Sequence, residues 1–160
     1  MAEKEPVAEV KPQSSSPDAV SPTWTEASEH LEQAEIYWIS TVRPDGRPHV
    51  TPLLALWLDG ALYFTIGGSS ERKARNLAQN PQCILTTGCN SLSGLDLVVE
   101  GEAERVEEDA LLQRLADRYE AKYGSAWRFT VGDVLVYKVA PATVFGFGKG
   151  ASPSQIRWRF

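Results

Sequence analysis

Residues 67–81 read Gly67-Gly68-Ser69-Ser70-Glu71-Arg72-Lys73-Ala74-Arg75-Asn76-Leu77-Ala78-Gln79-Asn80-Pro81. A turn of this kind presents backbone N–H groups, Ser hydroxyls and Lys/Arg side chains at a helix N-terminus, the ingredients of an anion site. A solvated helix face would also carry cations. The two readings differ in position, because Arg72 and Lys73 fall in the first turn, where the helix dipole disfavours positive charge. Cations behind Gly-Gly-Ser-Ser make better sense if an anion is received there. Hydrogen bonds to charged groups are worth about 1.5–3 kcal/mol each. Two or three of them would hold a phosphate at micromolar levels.

Other chemistry is thinly represented. His30 and His49 stand apart, with no acidic or Cys partner at ligand spacing, so no metal site is expected. There is no Gly-x-Ser-x-Gly elbow and no Gly-Lys-Ser/Thr phosphate loop. Gly146-Phe147-Gly148-Lys149-Gly150 has the look of a glycine fingerprint, but no helix follows it, and it reads as a flexible hinge. Cys83 and Cys89 form no Cys-x-x-Cys pair and read as small buried hydrophobes. The chain end, Ser154-Gln155-Ile156-Arg157-Trp158-Arg159-Phe160, alternates cations with aromatics. It could clamp a flat anionic ligand, pack on a partner subunit, or stay mobile. No catalytic acid or base can be singled out.

These residues need a scaffold. A chain of 160 residues suggests one domain with a single core. A formal net charge of −5 and a pI near 5.1 argue against nucleic acid as a partner. No apolar run reaches the length of a membrane span and no secretory h-region is visible, so a cytoplasmic protein is expected. Residues 1–22, rich in Pro, Ser and charge, read as a disordered tail. Thr23-Trp24-Thr25-Glu26 is a capping box, and Ala27, Leu31 and Ala34 continue a short amphipathic helix.

Residues 36–42 read as a strand. Arg43-Pro44-Asp45-Gly46 has a type I turn signature, and residues 47–58 return as a long strand interrupted by Pro48 and Pro52. Asp59-Gly60 signals a hairpin into residues 61–66. Further strands are expected at 82–87, at 95–106 with a bulge or barrel corner at Gly101, at 134–139 and at 143–147. A helix over 108–123 ends at Gly124. The pattern predicts a mainly β (α+β) fold, a six- to seven-stranded antiparallel barrel with short flanking helices, closed to remove its edges.

One more feature is carried by order rather than by any single motif. Thr41-Val42-Arg43-Pro44-Asp45-Gly46-Arg47-Pro48-His49-Val50-Thr51-Pro52 is followed by Leu62-Tyr63-Phe64-Thr65, then by Ser70-Glu71-Arg72-Lys73-Ala74-Arg75-Asn76-Leu77 and Asn80-Pro81. Over residues 35–147 this resembles the pyridoxamine 5'-phosphate oxidase-like split β-barrel family. The resemblance implies a homodimer that binds FMN or the deazaflavin F420 in clefts between subunits. It implies that Arg72 and Lys73 hold the cofactor phosphate, assisted by Ser69 or Ser70. Val50, Thr51, Pro52 and Leu53 would line the ring system, and Thr65 would lie near the ribityl chain. For Leu53, ordinary barrel core is an equal reading. His49 would face the substrate or simply be an exposed strand residue, and Trp158 would contact the cofactor if the tail covers the cleft.

The sequence departs from the true oxidase at Thr51-Pro52-Leu53-Leu54, more apolar than the family's polar strand, and no grip for pyridoxamine phosphate is evident. The Arg43-Pro44-Asp45-Gly46-Arg47-Pro48 turn and the Ser70-Glu71-Arg72-Lys73 helix start resemble the family's deazaflavin-using reductases, a pattern that FMN-binding relatives largely share. This resemblance implies an F420-dependent oxidoreductase moving a hydride to or from a small organic substrate. The alternatives are an FMN-dependent enzyme, a non-catalytic flavin carrier, or a barrel serving as scaffold. The domain division expected is a tail over 1–22, a cofactor-binding barrel over 23–147 and a tail over 148–160.

Overall fold

The computed structural model describes residues 5–88 and 91–160; Cys89 lies outside them. Its elements, in chain order, are β1 (Val7–Val10), α1 (Trp24–Gln33), β2 (Tyr37–Val42), β3 (Pro48–Leu53), β4 (Ala55–Leu58), β5 (Ala61–Ile66) and α2 (Arg72–Gln79). They continue with β6 (Gln82–Thr87), β7 (Gly94–Arg105), α3 (Asp109–Tyr123), β8 (Leu135–Lys149) and β9 (Ser154–Arg159). Every pairing is antiparallel. The ladder runs β1-β9-β8-β7-β6-β2-β3, and β5 pairs with the first half of β8 and carries β4 on its other side.

Local chemistry fixes several boundaries. Thr23 and Glu26 form the reciprocal capping box that starts α1, and Ala27 and Leu31 bury its inner face completely. Asp59 and Gly60 both adopt positive φ, 51° and 75°, which a two-residue hairpin turn matched to strand twist requires. The bulge falls at Gly101: the register shifts there, so that Gly101 opposes Pro141 and Glu100 opposes Thr143. A Cβ on Gly101 would sit 2.6 Å from the Ala140 carbonyl oxygen, which is why the position takes glycine.

The expected strand over 47–58 is two strands. β3 pairs with β2 and β4 pairs with β5, so the ladder breaks at Leu54 and the sheet is not closed. Broken ladders leave backbone groups that must find partners, and α3 supplies them. Tyr119 Oη donates to the Leu54 carbonyl at 2.9 Å. Tyr123 Oη donates to the Ala55 carbonyl at 2.8 Å, and Lys122 Nζ donates to the same oxygen at 3.1 Å. The result is a split barrel, held open by one helix.

The two last expected strands are one 15-residue strand, β8, which bends at the bulge and serves β5 with one half and β9 with the other. The chain end is therefore no loose tail, and Gly146-Phe147-Gly148 is no hinge. A Cβ on Gly146 would lie 2.8 Å from Trp158 Cζ3, and one on Gly148 2.4 Å from Ser154 Oγ. These glycines make room for β9. The N-terminal segment also differs from expectation: residues Val7 to Val10 pair with Arg159 to Ile156. Glu9 binds Lys11 at 2.7 Å and also pairs with Arg157. β1 buries nothing; ladder and charge order it, which a composition-based reading cannot detect.

Candidate functional site

The site forms where α2 docks against the buried face of β2. Asn76, wholly buried on α2, donates from Nδ2 to Thr41 Oγ1 on β2 at 2.9 Å. Thr41 in turn lies 3.5 Å from His49 Nδ1, directly across on β3. This buried link, together with the apolar contacts of Ala74 and Leu77, fixes the helix so that its first turn faces the start of β3. Burial holds the His49 imidazole below its usual pKa, and the charges of Arg43, Lys73 and Arg72 press in the same direction. Three cations from the β2–β3 turn and from α2 thus converge on one spot.

Their partners are informative. Among the described residues, Arg43, Arg72 and Arg75 make no ion pair. Lys73, with only 14% of its side chain exposed, pairs with the Glu71 carboxylate. The same carboxylate accepts the Gly67 N–H at 2.8 Å. Both partners hold Glu71 below the usual carboxylate pKa, the Lys73 hydrogen bond more than the Gly67 N–H. A Cβ on Gly67 would come within 3.0 Å of Glu71 Oε1, so the turn is shaped around this carboxylate. Glu71 is an internal anion seated in a cradle of one N–H and one ammonium group. Three buried polar atoms of the β2–β3 hairpin and α2, Arg43 Nε, Thr51 Oγ1 and Asn76 Oδ1, have no hydrogen-bond partner. A phosphate-bearing ligand fits this donor set.

The remaining expected ligands divide by strand periodicity. On β3, His49, Thr51 and Leu53 are more buried than Val50 and Pro52, which lie on the outward face. Pro52, Leu53 and Thr65 border a cavity of about 360 Å³ at the split, with Ile36, Leu54, Tyr119 and Trp127. Ser69 and Ser70 are exposed in the turn before α2, and Arg72 is exposed at its start. The structure therefore gives one polar end and one apolar cavity, joined along β3.

Trp158 belongs to neither. It is 1% exposed and packs edge-on against Trp24, with ring centroids 5.5 Å apart. Inside its own chain's core it has no face left for a cofactor, which corrects the expectation that it covers the cleft. From the sequence Arg43 reads as a turn residue, and Glu71, the N-cap of α2, carries no assigned role. Tyr119 and Trp127 went unmarked because only the tertiary fold brings them to the split. A Glu two residues before a Lys, at a glycine turn, was the one local signal available for Glu71.

Comparison with known proteins gives the same frame. The family model described as pyridoxamine 5'-phosphate oxidase matches residues 23–147. No curated protein matches the sequence. Among solved structures, the heme storage protein HutZ from Vibrio cholerae superposes with a TM-score of 0.65 at 22% identity, covering 79% of this chain and 94% of that one. A heme binding protein from Mycobacterium smegmatis gives 0.68 at 20% identity, covering 86% of this chain and 59% of that one. An FAD-binding protein from Mesorhizobium loti gives 0.62 at 14% identity, covering 97% and 99%. At these identities the likenesses show the fold alone. With the family match over the whole barrel and the split-barrel topology in agreement, the chain belongs to the pyridoxamine 5'-phosphate oxidase family.

Proposed function

We propose that this protein is a flavin-type oxidoreductase that binds F420, with FMN as the second reading, and exchanges a hydride with a small organic substrate in the cytoplasm. The observation that carries the proposal is the cradle of Gly67 N–H and Lys73 Nζ beside the unpaired Arg43 and Arg72. Lys73 and Arg72 would hold the phosphate, with Ser69 and Ser70 at its rim. Thr51, Pro52, Leu53 and Thr65 would border the ring and its chain, and Val50 would meet the partner subunit. The bound ring supplies the hydride chemistry; the protein positions it and excludes water from one face. Unpaired Arg72 and Arg75 on the outer side of α2 suit a cofactor whose negative charge extends beyond one phosphate, which favours F420. The family match favours FMN.

A second subunit completes this reading. On the outward face of β2 and β3, Trp38 is 49% and Val50 51% exposed, beside Val42. Apolar side chains in one patch of this kind are covered in a stable assembly, and a homodimer contact there would wall the open side of the split. A non-catalytic carrier is the rival function. Tyr119 supports it, since the hydroxyl at the cavity is already engaged by the Leu54 carbonyl and burial pushes its pKa far up. It offers no ready base.

The test is titration of purified protein with FMN and with F420, separately, by fluorescence, repeated on Lys73→Ala. Losing one charged hydrogen bond of about 1.5–3 kcal/mol predicts a roughly 10- to 150-fold weaker Kd. Equal affinity in the variant would refute the phosphate assignment. Oxidation of the reduced cofactor by enone or quinone acceptors separates the enzyme from the carrier.

A further inference from the structure

We infer that Glu71 sets the charge preference of the phosphate cradle, favouring a singly charged phosphodiester over a doubly charged phosphomonoester. The inference rests on the phosphate assignment above. Its starting point is that the cradle already contains an anion: Glu71 takes the Gly67 N–H with one oxygen and Lys73 Nζ with the other. An incoming phosphate must share these donors with the carboxylate or displace it. Either way it meets one fixed negative charge. The penalty grows with the charge the ligand carries.

Phosphate esters differ in this respect near neutral pH. A monoester loses its second proton with a pKa of about 6 and is mainly dianionic at pH 7.5. A diester has no second proton to lose and stays monoanionic. The groups facing the Glu71 carboxylate are Lys73 Nζ and the Gly67 N–H, and Lys73 is in turn one of three cations, with Arg43 and Arg72, that act on His49. Glu71 is the one acid in this set of interacting groups, so removing its charge is the direct way to relax the discrimination. FMN carries a monoester and F420 a diester, so a carboxylate in the cradle tilts the family's shared site toward the second. It also accounts for an acidic residue standing among cations whose task is to bind an anion.

The magnitude can be bounded. The Glu71 side chain is 39% exposed, so a water-like dielectric applies. One extra unit charge about 4 Å away then costs about fivefold in binding. The experiment compares wild type with Glu71→Gln, which keeps the side-chain length and an oxygen for the Gly67 N–H. Three ligands with one ring system serve as probes: riboflavin, FMN and the FMN methyl ester, carrying no, two and one phosphate charge at pH 7.5. Dissociation constants are read by fluorescence quenching, and circular dichroism confirms that the variant is folded.

The expected result is that Glu71→Gln tightens FMN about fivefold more than it tightens the methyl ester, and leaves riboflavin unchanged. FMN and the ester shifting by the same factor, or not at all, overturns the inference even if FMN binding still depends on Lys73. If neither protein binds FMN more tightly than riboflavin, the phosphate assignment falls, and the role of Glu71 falls with it. A Glu71→Gln variant that binds FMN more weakly than wild type would also overturn it, since Glu71 would then be supporting the site.

Discussion

Trp158 separates two views of the chain end, and its replacement can be worked through in numbers. The indole is 1% exposed, meets Trp24 edge-on at 5.5 Å between centroids, and lies over Gly146. Truncation of a buried aromatic residue to Ala costs about 3–5 kcal/mol. In a chain of this size that lowers Tm by roughly 6–20 °C.

Gly146 provides an internal control. A Cβ there would sit 2.8 and 2.9 Å from Trp158 Cζ3 and Cη2, so Gly146→Ala should cost about 1–3 kcal/mol by overpacking. In the Trp158→Ala background the ring is gone and the new methyl enters the vacated space. There only the Ile156 Cγ2 contact at 3.1 Å remains, so most of the Gly146→Ala cost should disappear, giving a coupling of about 1–2 kcal/mol. The assay is urea denaturation followed by far-UV circular dichroism, because tryptophan fluorescence changes with the mutation itself. Additive costs for the two substitutions would refute the packing. A Trp158→Ala protein of full stability with weakened flavin binding would show instead that the residue covers the cofactor.

Other expectations can be checked alongside. Burial and three cations hold the His49 pKa below its usual value, so an anion bound in the cradle should raise it. Imidazole NMR titration with and without FMN reads this, and an unchanged or lowered value contradicts the placement. The same depression means that the free protein loses stability as pH falls below about 6.5, where the unfolded chain takes up a proton that the folded one resists. His49→Gln should remove that part of the pH dependence. Tyr119→Phe leaves the Leu54 carbonyl at the split without its donor and should cost about 1–3 kcal/mol in urea melts. Glu9, held at about 2 by Lys11 and then Arg157, ties β1 to β9. Its contribution is present above about pH 4.5 and is lost as pH falls toward 2, so amide exchange in β1 should accelerate over that window, ahead of β7.

Much of the fold was legible because it is written in local chemistry. The capping box at Thr23, the Asp59-Gly60 hairpin, the bulge at Gly101 and the stop at Asn80-Pro81 each act over a few residues, and all fall where the sequence places them. The anion-binding character of residues 67–73 was legible for the same reason: glycines, hydroxyls and cations at a helix start have a meaning before any tertiary contact exists. What the sequence could not decide is which groups meet across the chain. The split at Leu54 depends on three α3 side chains, from Tyr119 to Tyr123, more than sixty residues away. The order of β1 depends on a partner strand at the other terminus. Trp158, in an alternating tail of cations and aromatics, reads equally as clamp or core. Only the cavity under it, opened by a glycine on β8 and walled by Trp24 on α1, decides that it is core. Glu71 completes the pattern: its charge is in the sequence, but that it occupies the anion cradle is a fact of three-dimensional proximity, set by the turn at Gly67 and the buried Asn76–Thr41 bond that holds α2 in place.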